Sequence, residues 1–388
     1  MRVAYICADP GIPVFGSKGA SIHVQEVIRS LLRRGARVTL FAQRPEGEPP
    51  PDLRSLEVTP LPPLPASGAA ARAAAALAAN RVLPDLLARS GPFDLLYERY
   101  SLWSHAGMAF ARRNRIRRVL EVNAPLIEEQ RQYRELPLRG QAERVIRSLL
   151  ADAATIVAVS PGVKAYLDAF TESGGRAVVV SNGVDLARFP AARPPRPGGN
   201  TIGFLGSMKP WHGVDRLIDA FALLHRRGRH GRLLVVGDGG ESAPLLEKVT
   251  RDKLLPFTRF TGAVAPHRVP ALLAEMDIAV APYPRLAGFY FSPLKIYEYM
   301  AAGLPVVATR VGHLHEVLEE GRAGLLVPPD DPAALCEALI ALLDDDALRQ
   351  ALGQAGRALV AQRYGWDAIV GRILSLADAA DAAGEARG

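Results

Sequence analysis

The chain is short of cysteine: 388 residues hold two, Cys7 and Cys336. One falls in a predicted strand and one in a predicted helix of different halves. No disulfide framework is available, and both read as buried thiols of a reducing compartment. Long apolar runs are missing as well. The first predicted strand stops before Asp9, too short for a signal peptide. The alanine-rich run from Ser67 to Asn80 carries Arg72 and is too weakly hydrophobic to span a bilayer. The eight histidines show no metal-ligand spacing. Residues 11–18 imitate a P-loop, but Ser17 separates Gly16 from Lys18, no hydroxyl residue follows the lysine, and Pro13 removes an amide from the cradle. No Gly-x-Gly-x-x-Gly follows the first strand, which argues against a dinucleotide site there. The basic clusters at 112–115 and 225–229 lack interleaved aromatics, so nucleic acid is not an expected partner. The acidic pairs and triplets at 330–331 and 344–346 stand at helix boundaries and read as caps rather than metal ligands. The net charge of +7 is carried mostly by arginine in a chain rich in Ala, Gly and Pro, which fits coding bias as well as an anionic partner.

What the chain does have is alternation. Short apolar runs at 3–7, 37–42, 56–59, 94–98, 118–122, 155–159 and 177–180 are separated by amphipathic stretches of helical period. This is the pattern of a parallel sheet covered on both faces. The stretch 191–200, Ala-Ala-Arg-Pro-Pro-Arg-Pro-Gly-Gly-Asn, suits neither helix nor central strand and reads as a linker. A second series follows at 201–205, 233–236, 259–261, 278–281, 306–308 and 324–327, and the chain closes in helical sequence over 332–363 and 366–380. An α/β protein of two doubly wound domains with a cleft between them is the expectation.

The densest stretch runs from Phe291 to Ala308. Ser292 reads as a helix N-cap, Pro293 as the first helical residue, and Gly303 with Pro305 as the stop. Amides at such a helix start suit a phosphate. Lys295 stands in the first turn, where a cation is unfavourable unless an anion joins it, and Glu298 follows about one turn later.

Read together, Ser292-Pro293-Leu294-Lys295-Ile296-Tyr297-Glu298-Tyr299-Met300-Ala301-Ala302-Gly303 resembles the donor-site motif of retaining glycosyltransferases of family 4. Four earlier segments resemble that family in the same order: Lys18 to Val24, Glu121 to Leu126, Ser181 to Asp185 with Phe189 beyond, and Gly206 to Asp215. The resemblance implies the GT-B fold. Residues 1–190 would form a Rossmann-like acceptor domain and 201–365 a Rossmann-like nucleotide-sugar domain, with 366–388 returning to the first. It implies a nucleotide-diphosphate sugar as co-substrate, no cofactor and no metal. Donor-binding roles fall to Gly19, Ser207, Lys209, His212, Ser292, Pro293, Leu294, Lys295 and Glu298. Lys209 would be the phosphate cation and Glu298 the ribose ligand, and these two carry catalysis. On the acceptor side the candidates are His23, Arg99, His105 and Asn123, with polar acceptor loops around 98–100 and 123–133. They suit a glycan, a small polyol or a lipid-linked acceptor. The location implied is cytoplasmic, with peripheral contact at the inner membrane face left open. Two positions depart from the family. Tyr290 stands where the first motif glutamate belongs, and Asn123 stands where many members have histidine. A nucleotide-sugar 2-epimerase of the same fold and a non-catalytic sugar-binding protein are the competing readings.

Overall fold

In the computed structural model, residues 1–66, 68–133, 135–189, 196, 198–286 and 288–385 are described. Most of the expected linker, 191–195 and 197, lies outside them. The chain divides into two units. The first comprises Met1–Asn182, Tyr290–Ser292 and Trp366–Gly388, and the second Gly183–Phe289 and Pro293–Gly365. The changeover therefore falls at Asn182, ahead of the boundary expected at residue 190. The reason is local bonding: the Val184 N–H donates to the Tyr364 carbonyl, and Arg188 bonds to Pro266 and Glu298, all in the second unit.

The first unit is built on seven parallel strands: β1 (Arg2–Cys7), β2 (Arg37–Ala42), β3 (Glu57–Pro60), β4 (Leu95–Arg99), β5 (Arg117–Val122), β6 (Thr155–Ala158) and β7 (Ala177–Val179), in the order β3-β2-β1-β4-β5-β6-β7. Central strands are apolar on both faces because helices cover both. Val3, Ala4, Tyr5, Ile6 and Cys7 are all fully buried. The alanine-rich region forms two helices, Ala69–Ala78 and Leu83–Ser90, with Pro84 in the first turn of the second, where its missing N–H costs nothing. A helix at Leu126–Tyr133 stands where the sequence suggested only a polar loop.

The last helix, Trp366–Glu385, belongs to the first unit. Its buried residues are Trp366, Ile369, Val370, Ile373 and Ala377, a single helical stripe. Asp367 locks it to the helix Gly19–Arg33, accepting from the Ser30 hydroxyl at 2.7 Å and from Arg33 at 2.9 Å.

The second unit has six parallel strands: β8 (Thr201–Leu205), β9 (Arg232–Val236), β10 (Thr258–Phe260), β11 (Ile278–Ala281), β12 (Val306–Thr309) and β13 (Leu325–Val327), in the order β10-β9-β8-β11-β12-β13. The order reverses between β8 and β11, and ligands of doubly wound sheets bind at such a reversal, beyond the carboxyl ends of the strands. The closing helical sequence breaks at Asp345 into Pro332–Asp344 and Asp346–Arg363. Asp331 and Asp345 accept from the amides of Ala334 and Leu348, so both act as helix caps, as read from the sequence.

Candidate active site

The loop after β8 and the helix Leu294–Ala301 meet at the reversal point of the second sheet. Tyr299 fixes the meeting: its buried hydroxyl accepts the Leu205 N–H at 2.6 Å, at the end of β8. The loop is braced from the other side, where the amides of Gly206 and Met208 donate to the Val236 and Asp238 carbonyls at 2.9 Å. Gly206 has φ +147, and a Cβ there would lie 2.8 Å from the Lys295 Nζ. Glycine is what lets the loop backbone pass over that ammonium.

Lys295 itself is 8% exposed. Its Nζ lies 4.1 Å from the Phe204 ring centroid and 5.2 Å from that of Tyr283. Among the described residues it finds no hydrogen-bond partner. Burial pushes its pKa down to about 7, with Glu298 pulling the other way. Glu298 receives Arg188 at 3.4 Å, and Arg188 also donates to the Pro266 carbonyl at 3.0 Å.

The structure rearranges several sequence assignments. The helix begins at Leu294, Pro293 is extended, and no side chain caps it, so Ser292 is not the N-cap. Its hydroxyl is taken by the Asn182 N–H at 3.1 Å, and its carbonyl by the Asn182 side-chain amide at 2.7 Å, within the first unit. Lys209, expected to be the phosphate cation, is exposed and rests 5.9 Å from the Trp211 ring centroid. His212 donates from Nδ1 to the Ser207 carbonyl, while burial first and then Lys295 push its pKa down to about 3. It is neutral at working pH and supplies no cation. Ser207 is exposed beside it.

Of the first-unit candidates, Gly19 opens the helix Gly19–Arg33 rather than a free loop. His23 is buried and committed: its Nε2 reaches both Glu121 oxygens at 2.9 and 3.0 Å, and its ring meets Trp366 edge-on at 5.0 Å. Arg99 lies between Cys7 and Glu121 in sheet register, and Asn123 directly follows β5, so both stand at the carboxyl edge of the first sheet. The Arg99 Nη1 and both amide atoms of Asn123 are buried without a partner among the described residues. His105 precedes the helix Ala106–Arg113, and its backbone N–H is held by the Asn80 side chain at 2.8 Å. Tyr290 belongs to the first unit and donates its hydroxyl to Glu129 at 3.2 Å. Sequence reasoning overlooked Arg188, Tyr283 and His313. The last two follow β11 and β12, and their place at the ends of strands next to the reversal was the available signal.

Residues 17–188 match the family described as Glycosyltransferase Family 4, and residues 199–345 that described as Glycosyl transferases group 1. Together the two matches support membership of glycosyltransferase family 4. Among curated relatives, this chain is 32% identical to the glycogen synthase of Mycobacterium tuberculosis over 194 residues, 49% of this chain and 45% of that one. It is 29% identical to the D-inositol 3-phosphate glycosyltransferase of Corynebacterium efficiens over 97% of this chain and 95% of the other. It spans about half the length of the first curated relatives it matches, 45% for the glycogen synthase and 53% for the M. tuberculosis phosphatidyl-myo-inositol mannosyltransferase. Sucrose-phosphate synthase from Thermosynechococcus elongatus superposes with TM-score 0.77 at 21% identity, covering 99% of this chain and 100% of that one. Anabaena HepE in complex with UDP-glucose gives 0.69 at 19% identity, covering 98% and 100%. The fold is GT-B: two Rossmann-like parallel-sheet domains.

Proposed function

We propose that this protein transfers a hexosyl group from a nucleotide-diphosphate sugar to a hydroxyl acceptor, with retention at the anomeric carbon. The observation that carries the reading is the buried, unpartnered ammonium of Lys295 under a glycine-lined loop at the reversal point of the second sheet. An ammonium in such a place calls for an anion. The leaving diphosphate is a suitable one, met by Lys295 and by the first amides of the helix Leu294–Ala301, which no side chain caps. Lys295, rather than Lys209, is thus the phosphate cation. Glu298, held by Arg188, accepts from the ribose hydroxyls. Transfer breaks the bond from the anomeric carbon to the phosphate oxygen and forms one to the acceptor oxygen, and the acceptor proton passes to the departing phosphate. Positioning and charge stabilisation then supply most of the catalysis.

The two family matches and the UDP-glucose complex of HepE support the donor class. In the first unit, Arg99 and Asn123 suit a polyol or glycan acceptor, and His23 serves by holding Glu121. The net charge of +7 also favours an acceptor presented at an anionic surface.

Thermal shifts with UDP-, GDP- and ADP-sugars test the reading. One donor should raise the melting temperature, because it binds the folded state alone. Lys295→Met and Glu298→Ala should each lower its affinity, by about tenfold or more for the lysine. Release of nucleoside diphosphate that depends on an added acceptor identifies transfer. Isomerised sugar without release would instead assign an epimerase, and binding without turnover a sugar-binding protein.

A further inference from the structure

A second polar atom at the carboxyl edge of the second sheet has no partner among the described residues: the Nε2 of His313. His313 is 5% exposed and lies in the segment following β12, whose strand pairs with β11. The segment is held tightly. Gly312 has φ +50, and a Cβ there would lie 2.3 Å from the Phe289 ring. The His313 ring centroid is 6.4 Å from that of Phe289, which meets Tyr283 edge-on at 5.2 Å. Tyr283 in turn walls the Lys295 ammonium. Two unpartnered buried groups therefore stand along one aromatic wall, beyond the ends of adjacent strands.

Their chemistry differs. Burial first, and then His315, push the His313 pKa down to about 4, so its imidazole is neutral near pH 7 and offers one N–H and one lone pair. A neutral donor–acceptor suits a sugar hydroxyl, which both gives and accepts a hydrogen bond, better than a second phosphate. The position where the family carries its first motif glutamate is Tyr290, whose hydroxyl is bonded to Glu129 in the first unit. That hydroxyl is therefore already engaged.

We propose that His313 hydrogen-bonds a hydroxyl of the transferred sugar and determines which sugar is accepted, while Lys295 holds the diphosphate. The assignment rests on the donor-site reading above. A site that hydrogen-bonds a hydroxyl rejects analogues lacking it, because its own buried polar group is then left unpaired.

Calorimetric titration of the full chain with UDP, GDP, ADP and their glucose, galactose and mannose conjugates separates the two roles. With His313→Ala, affinity for the bare nucleoside diphosphate should stay within about twofold, while the matching nucleotide sugar loses about tenfold or more. Discrimination between epimers at one hydroxyl should collapse in step. His313→Asn, which keeps a donor and an acceptor, should recover part of the loss. Equal loss for diphosphate and conjugate in both variants would mean that His313 only packs the wall, and no loss in either would mean that it faces no ligand. Each result overturns the proposal. A wild-type chain that binds none of the diphosphates would overturn the donor site itself, an outcome distinct from either.

Discussion

A buried ammonium with no hydrogen bond costs stability, and Lys295 bears that cost in the free protein. Its pKa falls from 10.5 to about 7 on folding, so between those values the unfolded chain binds more protons. The Lys295 contribution to stability therefore rises with pH across that window, by about 1.4 kcal/mol per unit of pH where the lysine stays charged in the unfolded chain and neutral in the fold. Lys295→Met should melt above the wild type near and below about pH 7, and the difference should shrink toward about pH 10, as measured by thermal melts across that range. The same variant should lose nucleotide affinity, the usual exchange of stability for function at a site.

Glu98 is the counterpart in the first sheet. It is fully buried, its Oε1 accepts from the Ser104 hydroxyl at 2.7 Å, and burial raises its pKa from 4.5 to about 7. Here the folded state holds the extra proton, so its contribution falls as pH rises from about 4.5 to about 7. Glu98→Gln should flatten melting temperature against pH in that lower window, and an unchanged slope would assign the proton elsewhere.

Among elements, the final helix shows how much one stripe can decide. Trp366 is 3% exposed and packs on His23, which in turn holds Glu121. Trp366→Ala should cost about 3–5 kcal/mol by the usual scale for large-to-small core changes, read as a drop in the denaturant midpoint of the first unit. Asp367→Ala removes an exposed cluster with Arg33 and the Ser30 bond and should cost about 1 kcal/mol.

Strand runs were legible in the chain because apolar residues occupied both faces. Thr201–Leu205 and Ile278–Ala281 lie where the sequence placed them. Ends involving proline and serine were less legible. Ser292 has the composition of a cap, but the Asn182 amide competes for its hydroxyl, and sequence spacing holds no record of that long-range partner. Leu126–Tyr133 escaped because it is a polar surface helix on which, among the described side chains, Ile127 is the buried apolar residue.

At the scale of the molecule, two units with separate sheets and cores need not unfold together. Scanning calorimetry should resolve more than one transition. A nucleoside diphosphate should raise the transition of the second unit, by about 2.7 kcal/mol of stabilisation at a hundred times its dissociation constant. A variant ending after Gly365 should lose the transition of the first unit, because Trp366–Glu385 packs there. A single transition raised as a whole by the ligand would show the units to be thermodynamically fused.

The sequence by itself determined the alternation of strand and helix, the two series, the family resemblance and the stretch around Lys295 and Glu298. Those features are written in local spacing, which a chain displays whether or not it is folded. The tertiary structure decided which lysine is buried, that His212 is neutral, that Ser292 and Tyr290 serve the first unit, and that His313 stands on the wall of Lys295. Charge and partnership at these positions depend on desolvation and on contacts between residues far apart in the chain, and neither exists until the sheets have formed.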